Sequence, residues 1–163
     1  MRYFAYGSNM ALARLQERVP SAAVIGTYML GSHQLRFHKY GMDGSAKCDA
    51  YFTGRASDHL YGVVFDIQEA EKYRLDLAEG LGRGYDEKEV VVVDNYGNVQ
   101  KPFLYYATDV DDSLLPFSWY KEHVLTGARA AMLPACYIEL IVKITVSKDS
   151  NIKREQRELS IYS

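Results

Sequence analysis

Tyr3-Phe4-Ala5-Tyr6-Gly7-Ser8-Asn9 sets three aromatic residues against Gly-Ser-Asn, the composition of a tight turn or a helix cap. A strand that stops abruptly before a helix leaves backbone N–H groups unpaired and aligned with the positive end of the helix dipole. Donors so placed bind anions: a substrate carboxylate, or the oxyanion that develops on a carbonyl under attack. The same residues also suit a first strand turning into a capped helix with no ligand at all. Elsewhere the chemistry-bearing types are scattered. His33, His38, His59 and His123 lack metal-ligand spacing and Cys48 and Cys136 form no thiolate cluster, so no metal is expected. Gly80, Gly82 and Gly84 in "GLGRG" lack the Lys-Ser/Thr of a phosphate loop and the spacing of a dinucleotide fingerprint. Ser8 stands outside any Gly-x-Ser-x-Gly elbow. A lone cysteine such as Cys48, in a stretch of loop composition, is far more often incidental than half of a Cys–His dyad.

The elements that must position these residues belong to an ordinary globular chain. Its 163 residues suffice for one domain with a real core, and we read residues 1–163 as a single domain with a polar tail from about residue 148. A net charge of −2 gives no electrostatic reason to expect nucleic acid or an anionic membrane. Two cysteines make no disulfide framework, which points to a reducing, cytoplasmic setting. Arg2 is followed at once by aromatic residues and a turn, without the apolar stretch of a signal peptide, and no run approaches the ~20 apolar residues of a spanning helix. The 14 tyrosines join an apolar ring to a polar tip, which suits the wall of a half-wet pocket as well as a strand.

Along the chain, "MRYFA" reads as a strand and "SNMALARLQERVP" as a helix capped by Ser8 or Asn9, with Met10, Leu12, Leu15 and Val19 on its inner face. "AAVIGTYML" and "HQLRFHKY" are β-like, "GMDGSAKCD" has loop composition, and "AYFTGR" and "LYGVVFDI" are strands, the second apolar enough to be central. "QEAEKYRLDLAEG" turns helical, with Tyr73, Leu75 and Leu77 apolar and Gly80 as its stop. "KEVVVVD" and "QKPFLYYA" flank the turn "NYGN" as a hairpin. "FSWYKEHVLTGARAAML" is a second solid helix between Pro116 and Pro134. "ACYIELIVKITV" fits strand by its β-branched content and helix by its position, and the tail reads as polar and partly helical. The pattern is mixed α/β, of the α+β kind.

Three segments in register carry a resemblance. The opening "YFAYGSNM", then "LYGVVFDI" followed by "LDLAEG", then "FSWYKEHVLTGARAAMLP" make the chain, from Tyr3 to Pro134, similar to the γ-glutamylcyclotransferase family. Those enzymes release pyroglutamate (5-oxoproline) from γ-glutamyl compounds. The resemblance implies a small β-barrel with flanking helices, a small-molecule γ-glutamyl substrate and no cofactor. It also admits a twofold homodimer, although no interface is legible. It places the proton-transferring glutamate on Glu79 and the substrate-contacting opening on Tyr3, Phe4, Ala5, Tyr6, Gly7 and Ser8, with Asn9 closing the turn. Tyr120 takes the place of a substrate-binding tyrosine and Tyr106 that of another aromatic near the cavity. One departure stands out: Tyr85 falls one residue early relative to the family's aromatic beyond the glutamate, with Asp86 in its place.

This chemistry suits these residues. In γ-glutamyl cyclisation the substrate brings its own nucleophile: the α-amine attacks the γ-carbonyl of the same molecule and closes a five-membered lactam. No Ser or Cys nucleophile is required. The amine is an ammonium at neutral pH, so a carboxylate must take its proton and pass it on to the departing amine. Free glutamic acid titrates near ~4.3 and is a weak base for that task; burial would raise its pKa, whereas the substrate ammonium alongside would lower it. Holding the flexible glutamyl chain curled lowers the barrier further. Two other readings fit the same scaffold: an enzyme for γ-glutamylamines or for removing a γ-glutamyl protecting group, and a non-catalytic module that binds small acidic ligands.

Overall fold

In the computed structural model, which describes residues 1–163, β1 (Arg2–Ala5) lies inside a seven-stranded sheet. β5 (His59–Asp66) pairs antiparallel with β1 on one side and with β2 (Ala23–Gly31) on the other. Leu60, Val63, Val64 and Phe65 of β5 are all buried, as befits a strand covered on both faces. β1 takes β9 (Phe103–Ala107) as its parallel neighbour, and β6 (Tyr85–Glu89) pairs antiparallel with β9 to form one edge. β7 (Val92–Val93) and β8 (Val99–Gln100) extend the other edge, so the expected hairpin around "NYGN" forms in two short pieces. The sheet curls as a half-barrel: β6 and β8 remain edges in its hydrogen bonding.

A separate hairpin, β3 (His33–Tyr40) with β4 (Ala46–Phe52), packs beside β6 and β9. Asp49 accepts a hydrogen bond from the Ala107 amide at 2.8 Å, and the Tyr85 hydroxyl donates to the Cys48 carbonyl at 2.5 Å. β4 begins inside the stretch expected to be a loop. Ala46, Cys48 and Ala50 are buried with period two, and their small side chains escape notice among polar neighbours.

Five helices flank the sheet: α1 (Leu12–Arg18), α2 (Lys72–Glu79), α3 (Ser118–Ala130), α4 (Ala135–Val142) and α5 (Ile152–Leu159). α3 buries Trp119, Tyr120, His123, Val124 and Leu125 along one side. At Gly127 it lies directly on the turn after β1: a Cβ there would come within 2.4 Å of the Met10 Cβ and 2.5 Å of the Ala11 nitrogen. The ambiguous segment after Pro134 is helical, with Tyr137 and Ile141 buried one turn apart while Leu140 and Val142 face solvent. The polar tail is docked. The Asn151 side chain caps α5 by accepting from the Arg154 amide. Buried Asp149 accepts from the Trp119 indole at 2.8 Å and from the Arg154 guanidinium at 2.6 and 2.7 Å. Glu158 of α5 receives Arg14 of α1 and His123 of α3. No helix is long and apolar enough to cross a membrane.

Candidate active site

β1 delivers the chain to Gly7, where it enters a single 3-10 turn, Ser8–Met10. The Met10 amide donates to the Gly7 carbonyl and the Ala11 amide to the Ser8 carbonyl. The amides of Gly7 and Ser8 have no acceptor within the chain. α1 starts only at Leu12, and neither Ser8 nor Asn9 caps it by its side chain. An anion at this turn would meet the bare amides alone, because the helix that follows begins four residues further on. Room here is scarce: a Cβ at Gly7 would sit 2.9 Å from the Cys48 Cβ.

Glu79 arrives from the far side as the last residue of α2. Gly80 ends that helix in the left-handed conformation (φ 73°), and its amide and that of Leu81 both reach back to the Asp76 carbonyl. Of the apolar face expected for α2, only Leu75 is buried; Tyr73 and Leu77 are exposed. Polar anchors hold the helix instead: Asp76 accepts from Lys72 at 2.7 Å and from the Tyr105 hydroxyl at 2.5 Å. A carboxylate at a helix C-terminus meets the negative end of the dipole, and Arg18 offsets this. The Arg18 guanidinium and the Asn9 side-chain amide both donate to Glu79 Oε1, each at 2.8 Å, and Arg18 also donates to Asn9 Oδ1 at 2.8 Å. Oε2 keeps no hydrogen bond within the chain and is the oxygen free to take a proton. Asn9 thus ties the early turn to the end of α2, with Tyr3 Oη 3.0 Å from its amide nitrogen.

Glu79, Gly7 and Ser8 line one cavity of about 280 Å³, its mouth included. Tyr3, Tyr6, Asn9 and Tyr120 line it as well. Phe4 and Ala5 are buried but lie outside the wall: alternation along β1 turns Phe4 to the other face, where its ring covers Gly62. Tyr106 faces away by the same rule, and its neighbour Tyr105 lines the cavity. Tyr85 lines it too, so the one-residue offset leaves the aromatic in the wall, while Asp86 is exposed. Arg18, Cys48, Tyr85 and Tyr105 were not assigned to the site from sequence. Arg18 had a readable signal, because Arg14 and Arg18 fall one turn apart on α1. Tyr105 was marked by period two from Tyr3's partner strand residue Phe103.

The tyrosine hydroxyls divide into two sets. Those of Tyr6, Tyr85 and Tyr105 donate to the Tyr105 carbonyl, the Cys48 carbonyl and Asp76, so they hold the frame. Tyr3 accepts from Asn9 and Tyr120 from the Cys48 amide at 3.0 Å, and each retains its own proton to donate to a ligand. Burial raises every one of these phenols well above the ordinary tyrosine value, so they act as neutral hydroxyls. Burial also pushes the Cys48 thiol up to about 12, which removes it as a thiolate nucleophile at neutral pH. Glu79 is the one carboxylate of the cavity wall.

Residues 59–141 match the family model described as the AIG2-like family. The chain is 31% identical over 149 residues to human γ-glutamylcyclotransferase, covering 87% of this chain and 77% of that protein. The mouse γ-glutamylcyclotransferase is 28% identical over 171 residues, covering 97% of this chain and 90% of that one. A solved γ-glutamyl cyclotransferase superposes with a TM-score of 0.84 at 25% identity, over 97% of this chain and 98% of the other.

Proposed function

Because this chain belongs to the AIG2-like, γ-glutamylcyclotransferase family, we propose that it cyclises a γ-glutamyl amide to pyroglutamate and releases a free amine or amino acid. The observation that carries this reading is the convergence on one small cavity of Glu79 with Gly7 and Ser8, whose amides have no acceptor within the chain. Glu79 Oε2 takes a proton from the substrate α-ammonium. The freed amine attacks the γ-carbonyl, and the C–N bond of the lactam forms as electron density moves onto the carbonyl oxygen. The Gly7 and Ser8 amides stabilise that oxyanion. On collapse, Glu79 returns that proton to the departing nitrogen as its bond to carbon breaks, then takes the second proton of the ring nitrogen and passes it to the released amine, which leaves as an ammonium beside a neutral lactam. Tyr3 and Tyr120 offer their hydroxyl protons to the glutamyl group, and the aromatic walls keep it curled. Asn9 and Arg18 hold the carboxylate in register through its other oxygen.

The test is pyroglutamate release from γ-glutamyl-alanine by wild type and by Glu79→Gln. Glutamine keeps an oxygen that can accept from Asn9 and Arg18 but cannot take the proton, so kcat falls about 10²–10⁴-fold while ligand binding persists. Turnover that survives the substitution would falsify the assignment of Glu79. Binding of γ-glutamyl ligands by wild type without any pyroglutamate would leave a binding module.

A further inference from the structure

α2 carries Glu79 on very little packing. The helix has eight residues and Leu75 is its single buried side chain, so apolar contact alone does not fix where its last residue comes to rest. Two polar side chains seat it on the sheet, and both land on one rung of the β6–β9 ladder. Lys72 pairs with Glu87 at 2.5 Å, and the Asp76 carboxylate accepts from the Tyr105 hydroxyl at 2.5 Å. Glu87 and Tyr105 face each other in register. Lys72 closes the arrangement by donating to the same Asp76 oxygen at 2.7 Å.

Asp76 stands three residues before Glu79, so the two acids share one face of α2. Beyond Asp76 the connection continues. Tyr105 is only 2% exposed; its ring lines the cavity edge-on to Tyr3 at 5.9 Å, and its carbonyl accepts from the Tyr6 hydroxyl at 2.5 Å. Tyr6 immediately precedes Gly7. Two hydrogen bonds therefore run from the helix of Glu79, through the side chain and backbone of one residue, to the neighbour of the unpaired amides. Asn9 and Arg18 hold the Glu79 carboxylate, whereas this line holds the backbone from which it extends.

We infer that Asp76 is a positioning residue for the cyclisation: by accepting from Tyr105 it sets the distance between Glu79 and the turn at Gly7 and Ser8. This rests on the reaction proposed above and adds a residue that touches neither substrate nor reacting atoms. Glu79 must meet the α-ammonium while the amides meet the γ-carbonyl oxygen of the same curled glutamyl group. A shift of the helix by about 1 Å misaligns the two ends and slows the chemical step up to about 10²-fold, without removing any group that holds the ligand.

The test is steady-state release of pyroglutamate from γ-glutamyl-alanine, measured well below the melting temperature of each variant. Asp76→Leu and Tyr105→Phe should each lower kcat about 10–100-fold and leave KM within about 3-fold. The double variant should be no slower than the slower single one, because both changes break one bond. Asp76→Asn keeps an acceptor oxygen for Tyr105 and should hold kcat within about 3-fold of wild type. Lys72→Met spares the bond between Asp76 and Tyr105, so it should lower the melting temperature and leave kcat within about 3-fold. If Asp76→Leu does not fold, Tyr105→Phe carries the test, since it removes one hydroxyl and keeps the ring. An unchanged kcat in Tyr105→Phe overturns the inference, as does a loss that appears in KM instead. Multiplied losses in the double variant, or Asp76→Asn or Lys72→Met as slow as Asp76→Leu, overturn it too, because charge or the general seating of α2 would then be responsible. A wild type that releases no pyroglutamate overturns the cyclisation reading, and the role of Asp76 with it.

Discussion

α1 sends two arginines, one turn apart, to two glutamates, and the two destinations behave differently. Arg18 reaches Glu79 at the end of α2, and Arg14 reaches Glu158 on α5. In each pair a guanidinium nitrogen meets one carboxylate oxygen, and a second donor shares that oxygen: Asn9 in the first, His123 in the second. The ion pairs alone do not tell the proposed proton shuttle from the other glutamate. What separates them is the space beside the carboxylate. Glu79 opens onto a cavity with unpaired amides across from it, whereas Glu158 closes a polar cluster that fastens the C-terminal helix, with the Tyr162 hydroxyl on the other nitrogen of His123 at 2.6 Å. A polar network becomes a site where it leaves something undone.

The sharpest way to break this contrast is to neutralise each glutamate in turn. Glu79→Gln should cost about 10²–10⁴ in kcat with little change in the urea midpoint. Glu158→Gln should leave kcat within a few-fold but lower the unfolding free energy by about 1–3 kcal/mol. Activity lost equally in both would mean that the two pairs form one unit. The arginines come next. Arg18→Met frees the Glu79 carboxylate to swing, and kcat should drop about 10–100-fold for the loss of positioning. Arg14→Met should act on stability, seen as a lower melting temperature with kcat nearly intact.

The smallest expected effect is on pH. Hydrogen bonding and charge from His123 and Arg14 hold the Glu158 carboxyl down at about 2, so its stabilising contribution is full above the ordinary carboxylate value and fades as pH falls towards 2. Burial lowers the His123 pKa, so below the ordinary histidine value the unfolded chain takes up a proton that the folded chain refuses, and acid again favours unfolding. Both signs agree. Trp119, the single tryptophan, stacks edge-on to His123 at 5.8 Å, and its emission should shift to the red as acid loosens this corner. Glu158→Gln should flatten the part of that profile in the carboxylate range.

β1 and β5 were legible as short apolar runs, because both are buried almost without alternation, and α3 by its period of 3.6. β4 was obscured because its inward residues, Ala46, Cys48 and Ala50, are too small to stand out. The docking of the tail was illegible for another reason: Asp149 and Glu158 look like solvent-facing acids until the indole, guanidinium and imidazole that meet them are placed in space. The candidate site divides along similar lines. Its early turn and Glu79 lie in contiguous motifs, while Cys48, Tyr85 and Tyr105 reach the cavity, and Arg18 reaches Glu79, from separate elements that only the fold gathers.

At Gly127, α3 rests on the backbone of the 3-10 turn with only a hydrogen atom between them. The heptapeptide that holds the bare amides is therefore not a portable cassette. Transplanted to another scaffold without a helix that presents a glycine at that point, it would be propped open by the first methyl group it met, and the donors would lose their aim.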